Sequence, residues 1–559
     1  MHAQTLPSFS RIVVFGDSLS DVGNLRHRME ERGVSYPGGE FNYSDGRLTN
    51  STDTDPASDQ YSGVWHEQLA RSFLNMPSST PSLDGGADFA FGGATTQAGT
   101  RDYSIIDVLG LEVTVTIDNM GRQVHDYITN RTVDSAALFA VWGGGNDLFD
   151  NDSSSNVSAT AGRMAMMISK LANAGARRFL VPNVPPLGGL PRYSGDPVAR
   201  DAKNRASADY RSQLNASLDS VVSTLAAQGI DIEIDRLDVW SLFVRFVSDP
   251  ARYGFTDMMT PAQGEDVDPD KYLFWDDIHP TTAGHYQIAL EANRVLTGAA
   301  VAPGRAVNLS TRATISSGEN VSIGGFIVTG TEPKHVIVRG IGPSLSERGV
   351  QGALPNPTIE LFNDSGTSLA VNNDWMDTQA QEITATGVPP TNSLESAIVR
   401  TLAPGSYTVR LSGVAGTSGI GLVEIYDLDS AADSTLANVS TRAAVGTGDD
   451  VMIGGMIIDA GGDPIVVLRA IGPSLADAGI AAPLQDPTLE LHNSDGEQIA
   501  TNDNWKDGQP LAAKATLLAP TDDRESAIVV SLAPGNYTAV VRGKDNSTGV
   551  ALVEVYRIP

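Results

Sequence analysis

The apolar positions of this chain follow two regimes. From Arg11 to about Leu296, short apolar runs rich in β-branched residues alternate with longer segments whose apolar positions recur at helical spacing. That is the pattern of strands separated by helices, and so of a parallel sheet. The expected strands are Ile12–Phe15, Ala87–Phe91, Ala137–Trp142, Phe179–Pro182 and Ile230–Ile234, and the expected helices Val64–Phe73, Ser158–Ala174, Ala202–Ala227 and Thr282–Leu296. In the third helix Leu214, Leu218, Val221, Val222 and Leu225 share one buried face. A three-layer α/β/α domain over residues 8–298 follows, with its ligand crevice beyond the carboxyl ends of the strands. The segment Tyr36–Ser62 breaks the alternation: it is rich in Gly, Asp, Ser and Thr, with Tyr36, Phe41, Tyr43 and Tyr61 interspersed. Its length is that of a functional lid or of a mobile loop.

After the Pro/Gly-punctuated stretch Thr297–Arg305 the helical patterns give way to short alternating runs. Residues 306–429 and 436–559 are copies at a constant offset of 130: Ser310-Thr311-Arg312-Ala313 matches Ser440-Thr441-Arg442-Ala443, Ile341-Gly342-Pro343-Ser344-Leu345 matches Ile471-Gly472-Pro473-Ser474-Leu475, and Trp375 matches Trp505. The repeat is too long for a solenoid unit, whose period is about 20 to 50 residues. Runs such as Tyr407–Leu411 answered by Leu422–Tyr426 predict that each copy is an antiparallel β-sandwich. The clusters Asn372-Asn373-Asp374-Trp375 and Asn502-Asp503-Asn504-Trp505 suit a turn with a packed indole, although oxygen ligands beside an aromatic face would also suit calcium or a sugar. No metal is assigned.

Composition narrows the partners. A chain of 559 residues is too long for one core and implies about three or four domains. The formal charge of -29, spread over both regimes, disfavours nucleic acid and anionic membrane surfaces. With no cysteine there are no disulfides, thiolate nucleophiles or thiolate metal sites. No apolar run reaches the length of a membrane span. Met1-His2-Ala3-Gln4 reads as a start residue placed before a mature N-terminus, which makes export the expected route.

The chemistry gathers at the strand ends. Ile12–Phe15 runs into Gly16-Asp17-Ser18, a strand-to-helix turn that presents a hydroxyl beside the unpaired N–H groups of a helix start. Phe89-Ala90-Phe91 runs into Gly92-Gly93, and Val141-Trp142 into Gly143-Gly144-Gly145-Asn146-Asp147. His279 lies just before the last helix with Asp276 three residues earlier, close enough for a carboxylate to fix its tautomer. Each piece alone also serves as a cap or a turn. Together they place a nucleophile candidate, oxyanion donors and a carboxylate-oriented imidazole around one crevice.

Gly16-Asp17-Ser18-Leu19 with Asp21 and Asn24, then Gly93, Gly144-Gly145-Asn146-Asp147 and Asp276-Asp277-Ile278-His279, resemble the four ordered blocks of the GDSL, or SGNH, hydrolase family. The resemblance covers about residues 8–298 and is closest to bacterial secreted lipases, phospholipases and hemolysin-like esterases, which share the Asp45-Gly46-Arg47-Leu48-Thr49-Asn50 pattern. It implies a flavodoxin-like sheet, Ser18 as nucleophile, His279 as general base, Asp276 orienting it, and an oxyanion hole of the Ser18 and Gly93 N–H groups with the Asn146 amide, without a cofactor. Two departures bear on substrate: Asp88 stands where the family usually has Asn, and Ser51–Ser62 is an insertion. The function expected is a secreted carboxylic-ester hydrolase. The alternatives are a polysaccharide acetyl esterase or phospholipase on the same fold, or a surface-binding protein whose tandem β-domains hold an insoluble matrix and whose hydrolase domain is vestigial.

Overall fold

The computed structural model describes residues 8–51, 61–299, 304–316, 322–430, 432–448 and 450–558. Met1–Gln4 and most of the Ser51–Ser62 insertion lie outside them. The chain divides into two compact units, Met1–Ala300 and Val301–Pro559.

In the first unit the elements follow as β1 (Ile12–Gly16), α1 (Asn24–Glu30), α2 (Trp65–Gln68, continued by a π turn), β2 (Thr100–Ile106), β3 (Glu112–Asp118), α3 (Met120–Asn130), β4 (Leu138–Trp142), α4 (Gly145–Asp150), α5 (Ser154–Asn173), β5 (Arg178–Pro182), α6 (Pro197–Ala227), β6 (Glu233–Leu237), α7 (Val239–Ser248) and α8 (Thr282–Leu296). The sheet is parallel in the order β1-β4-β5-β6. Every residue of β1 and β4 is buried, as expected of strands covered on both faces. One group of helices packs α3 on α5 and α5 on α6, and another packs α2 on α8, completing an α/β/α arrangement. The extended segment 87–91 runs parallel to β1, with Phe89 N donating to Val14 O (2.8 Å) and Val14 N to Ala87 O (2.9 Å). It is a fifth ladder position at the β1 edge, where the sequence pattern predicts a strand.

Three features depart from the sequence reading. The last strand begins at Glu233 rather than Ile230 because α6 is closed by Gly229 in the left-handed region (φ 77°), with Ile230 N donating back to Leu225 O. The hairpin β2–β3 is antiparallel and forms its own two-stranded sheet, outside the alternation of strands and helices. The helices α3 and α7 also go unread from the sequence.

In the second unit the strand pairs among the described residues are antiparallel. Its strands are β7 (Ala306–Ile315), β8 (Ser322–Thr329), β9 (Lys334–Ile341), β10 (Pro357–Asn363), β11 (Ser368–Asn372), β12 (Ser396–Leu402), β13 (Gly405–Gly413) and β14 (Gly419–Asp427) from the first copy. From the second come β15 (Thr435–Val445), β16 (Met452–Ile458), β17 (Ile465–Ile471), β18 (Pro487–His492), β19 (Gln498–Asn502), β20 (Ser526–Ser531), β21 (Gly535–Gly543) and β22 (Gly549–Ile558). Each copy supplies two four-stranded ladders, β12-β9-β14-β7 with β8-β13-β10-β11, and β20-β17-β22-β15 with β16-β21-β18-β19. The edges then pair crosswise, β7 with β16 and β15 with β8.

The two domains expected, 306–429 and 436–559, lie within one compact unit and share one continuous apolar core. The physical reason is the edge. A four-stranded layer ending at β7 or β8 would leave a row of unpaired backbone groups, and the other copy supplies their partners. The junction is self-complementary, since Thr441 Oγ1 donates to Thr311 Oγ1, its own equivalent, at 2.8 Å. Close approach there also needs glycine: a Cβ on Gly325 would come 2.8 Å from Ser440 Oγ, and one on Gly455 2.5 Å from Ser310 Oγ. Trp375 and Trp505 are buried, their indole N–H groups donating to Asn392 O and Asp522 O, so neither ring offers a face to a sugar.

Cutting the chain discriminates between these levels of organisation. A protein ending near Ala302 should fold with its own cooperative melt, because its sheet pairs within itself. A protein carrying only residues 304–430 should self-associate through the bared β7 and β8 edges. Light scattering that finds a stable monomer of the single copy would show that the crosswise pairing is dispensable.

Candidate active site

Ser18 follows directly on β1. The Asp17 carbonyl accepts from Ser20 N and Asp21 N (both 3.0 Å) and its carboxylate from Leu19 N (3.1 Å), which fixes a tight turn around Ser18. Ser18 Oγ lies 2.8 Å from His279 Nε2. His279 Nδ1 lies 2.7 Å from Asp276 Oδ2, and Asp276 Oδ1 accepts from Ile278 N (2.7 Å) and His279 N (2.6 Å). With the proton assigned to Nδ1, the ring donates to Asp276 and its Nε2 accepts from the serine. Asp277 is the neighbour that turns away, its carboxylate 3.7 Å from Arg192 on the exposed side.

Burial and charge set the protonation states of these groups. Burial alone would raise Asp276, but the His279 charge, the ring hydrogen bond and the two backbone donors outweigh it and hold the carboxyl at about 2. Burial alone would lower His279, but the charge and hydrogen bond of Asp276, with the charge of Asp17, carry it above the ordinary 6.5. Asp17, with less compensation, is pushed by burial up to about 6.

The glycine blocks are held by the same turn. Asp21 accepts from Gly23 N, Asn24 N, Leu25 N and Gly92 N at 2.7 to 3.0 Å, and the Asn24 amide donates to Asp88 O and Ala90 O. Gly93 follows at φ 82°, and a Cβ there would meet the Tyr103 ring at 2.4 Å, so no other residue suits the position. Neither Ser18 N nor Gly93 N donates a hydrogen bond among the described residues. Asn146, on the first turn of α4, donates one amide hydrogen to Ala94 O (2.9 Å), which brings it beside Gly93. Asp88 is buried and uses both oxygens, accepting from Val22 N and Ala90 N (both 2.9 Å). Burial and the nearby Asp21 push its carboxyl well above the usual range.

Asp17, Ser18 and Asn146 line a cavity of about 70 Å³ whose remaining walls are mostly apolar, among them Phe149, Leu190, Phe243, Phe246, Leu273 and Ile288.

One contributor to this site is not apparent from the motifs. Tyr43 OH donates to Asp276 Oδ2 at 2.7 Å, the same oxygen that faces the imidazole. The loop carrying it is strapped to the histidine segment: Trp275 Nε1 donates to Asn42 O (2.8 Å), Thr49 Oγ1 to Pro280 O (2.9 Å), and Asn50 exchanges hydrogen bonds with Thr282 N (2.7 Å) and Thr282 Oγ1 (3.0 Å). Arg47 anchors the same loop with a two-pronged ion pair to Glu67. Tyr36 to Asn50 is thus a fixed strap over the aspartate. The interspersed tyrosines carry the only sequence signal for it, and nothing local ties Tyr43 to a residue 233 positions away.

A family model described as GDSL-like Lipase/Acylhydrolase matches residues 12–292. A phosphatidylcholine-sterol acyltransferase of Aeromonas hydrophila is 29% identical over 271 residues, covering 47% of this chain and 68% of its own. A thermolabile hemolysin of Vibrio parahaemolyticus is 25% identical over 304 residues, covering 50% and 62%. Among solved structures, a member of the lipolytic protein G-D-S-L family from Veillonella parvula is 14% identical with a TM-score of 0.25, covering 50% of this chain and 95% of that one. The chain spans 61 to 68% of the length of these curated relatives and of a third.

Removing the Tyr43 hydroxyl leaves Asp276 Oδ2 with one donor fewer and more charge directed at the imidazole. Tyr43→Phe should therefore raise the His279 titration midpoint, read by NMR of the ring nitrogens. A midpoint that stays put or falls would mean that Tyr43 only fills space.

Proposed function

The chain belongs to the GDSL-like lipase/acylhydrolase family, and on that footing we propose that it is a serine carboxylic-ester hydrolase acting through Ser18, His279 and Asp276. The observation that carries this reading is the unbroken relay from Ser18 Oγ to His279 Nε2 (2.8 Å) and from His279 Nδ1 to Asp276 (2.7 Å), at the mouth of an apolar cavity. Ser18 attacks the ester carbonyl as His279 takes its proton, and Asp276, held ionised at about 2, stabilises the imidazolium. The Ser18 and Gly93 N–H groups with the Asn146 amide receive the oxyanion. His279 then protonates the leaving alcohol and activates the water that frees the acid. The scheme uses no cofactor.

The walls of the cavity favour an aliphatic acyl group over an acetyl group, since such a pocket gains from each methylene it buries. A lipid or phospholipid ester suits this better than a polysaccharide acetyl ester, and turnover across a series of acyl chain lengths separates them. The duplicated β-unit, which contains none of these groups, serves in this reading as an anchor on an insoluble substrate or matrix, raising local enzyme concentration without touching the chemistry. A secreted location accords with such substrates, and no described helix is long and apolar enough to cross a membrane. The reading in which the domain is vestigial and only binds is disfavoured by a relay that keeps every partner.

Ser18→Ala should abolish turnover with the melting temperature unchanged; organophosphate labelling of a different serine would overturn the assignment. Because the base must be neutral and His279 is raised, kcat/KM should fall on the acid side through a midpoint above 6.5.

Asn146→Ala should lower kcat by about 10² to 10³ with little change in KM, as for a donor used in the transition state. An equal rise in KM would make Asn146 a ground-state binding residue instead.

A further inference from the structure

Eight large apolar side chains are exposed among the described residues of the first unit, and four of them crowd one turn: Ile106, Val108, Leu109 and Leu111, at 62, 59, 79 and 60% exposure. This turn is the tip of the β2–β3 hairpin, and it is held rigid. The Asp107 carboxylate accepts from Leu109 N (2.9 Å) and Leu111 N (2.8 Å), Asp107 N donates to Leu111 O (2.8 Å), and Gly110 N to Asp107 O (3.0 Å). The apolar groups are therefore fixed outward and cannot fold back onto the stem. Below the tip the outer face is polar, with Ser104 bonded to Thr114 (2.6 Å) and Thr116 to Asp102 (3.1 Å), while Tyr103, Ile105, Val113, Val115 and Ile117 face the core. Apolar surface is confined to the end.

We propose that this tip is a lipid anchor that inserts into a neutral or zwitterionic lipid surface. Its size argues against a second copy of the chain as occupant: four side chains on one convex turn fall well short of the ~800 Å² per partner of a stable protein interface. Insertion into lipid has no such threshold, since each apolar side chain contributes as it leaves water. Charge selects the kind of lipid. The turn carries no Lys or Arg, it is flanked by Asp107 and Glu112, and the whole chain is at -29, so an anionic surface repels it. The stem links the tip to the site: Tyr103 packs on Gly93 and its hydroxyl lies 3.3 Å from that of Tyr36, whose ring packs edge-on against Tyr43. An apolar cavity at Ser18 and an apolar tip on the same unit describe an enzyme working on lipid esters at an interface. That purpose rests on the ester-hydrolase reading; the surface contact does not.

The test uses the full chain carrying Ser18→Ala, so that vesicles stay intact, and flotation with phosphatidylcholine vesicles. Binding is expected, weaker on phosphatidylglycerol vesicles at low salt, and lowered by about tenfold or more when Val108→Ser, Leu109→Ser and Leu111→Ser are combined. In a separate variant, Leu109→Trp, the indole fluorescence added over that of the parent should shift to shorter wavelength on adding phosphatidylcholine vesicles. No vesicle binding by the parent, equal binding by the triple variant, or an unshifted emission from the Leu109→Trp variant overturns the proposal. So does a tip-dependent dimer in light scattering without vesicle binding. With Ser18 restored, the triple variant should keep its turnover of a small soluble ester. Absence of that turnover from the chain with an unaltered tip counts against the hydrolase reading and leaves the anchor standing.

Discussion

The site depends on one buried carboxylate. Asp276 collects four donors, two backbone N–H groups on one oxygen and the His279 ring with the Tyr43 hydroxyl on the other. Hydrogen bonds to a charged group are worth about 1.5 to 3 kcal/mol each, and here they overcome a burial penalty that acts in the opposite direction. Two consequences follow from the same contacts. The backbone donors curl Asp276-Asp277-Ile278-His279 so that the ring sits over its own carboxylate, and the side-chain donors fix which ring nitrogen is free to face Ser18. The ionised carboxylate also has a pH signature: its stabilisation is present above the ordinary 3.8 and is lost as pH falls toward about 2.

Three other buried carboxyls near the site work against stability at neutral pH. Asp17 and Asp21 are raised by burial to about 6, and Asp88 well above the usual range. A carboxyl whose folded value lies above its unfolded one destabilises the fold increasingly as pH rises from about 4 through 6, by about 3 kcal/mol when the two values lie about two pH units apart. Their oxygens are acceptors for loop backbone: Asp21 binds the N–H groups of Gly23, Asn24, Leu25 and Gly92, and Asp88 those of Val22 and Ala90. Turns that leave the Ser18 and Gly93 N–H groups uncommitted need acceptors for their neighbours. Deep in the unit, short acidic side chains supply these at a cost in charge burial.

What could be read from the sequence follows from how local each signal is. β1 and β4 are continuous apolar runs that end shortly before Ser18 and Asn146, and α8 begins after a Thr cap with bounds that match the expected Thr282–Leu296. The contact of His279 with Asp276 was legible because the two lie only three residues apart. Tyr43 was not, since its contact closes over more than two hundred residues of chain and its own surroundings look like those of any Gly- and Asp-rich loop. The β2–β3 hairpin has a clear alternating pattern, yet a rule that joins successive strands into one parallel sheet has no place for a pair that stands apart. The joined edges of the two β-copies escaped for a related reason. The repeat is visible in the residues, but identical copies say nothing about which edges meet.

Those edges explain where the two copies have stayed alike and where they have diverged. A two-fold junction brings each residue near its own equivalent, so a change in one copy alone must be accepted by both sides at once. Thr311 and Thr441 face each other there, and Gly325 opposite Ser440 is repeated as Gly455 opposite Ser310. Inside each copy the Arg339-Glu424-Tyr426 cluster is likewise repeated as Arg469-Glu554-Tyr556. At the far ends the constraint lapses. In the first copy Lys334 is fully buried against Asp427 at 2.9 Å, whereas the equivalent positions of the second hold Pro464 and Arg557, whose guanidinium donates instead to Gly304 O at 3.1 Å. A buried ion pair that loses one member leaves an uncompensated charge costing about 3 to 5 kcal/mol. The two positions differ together, so neither half of the pair is left buried without the other.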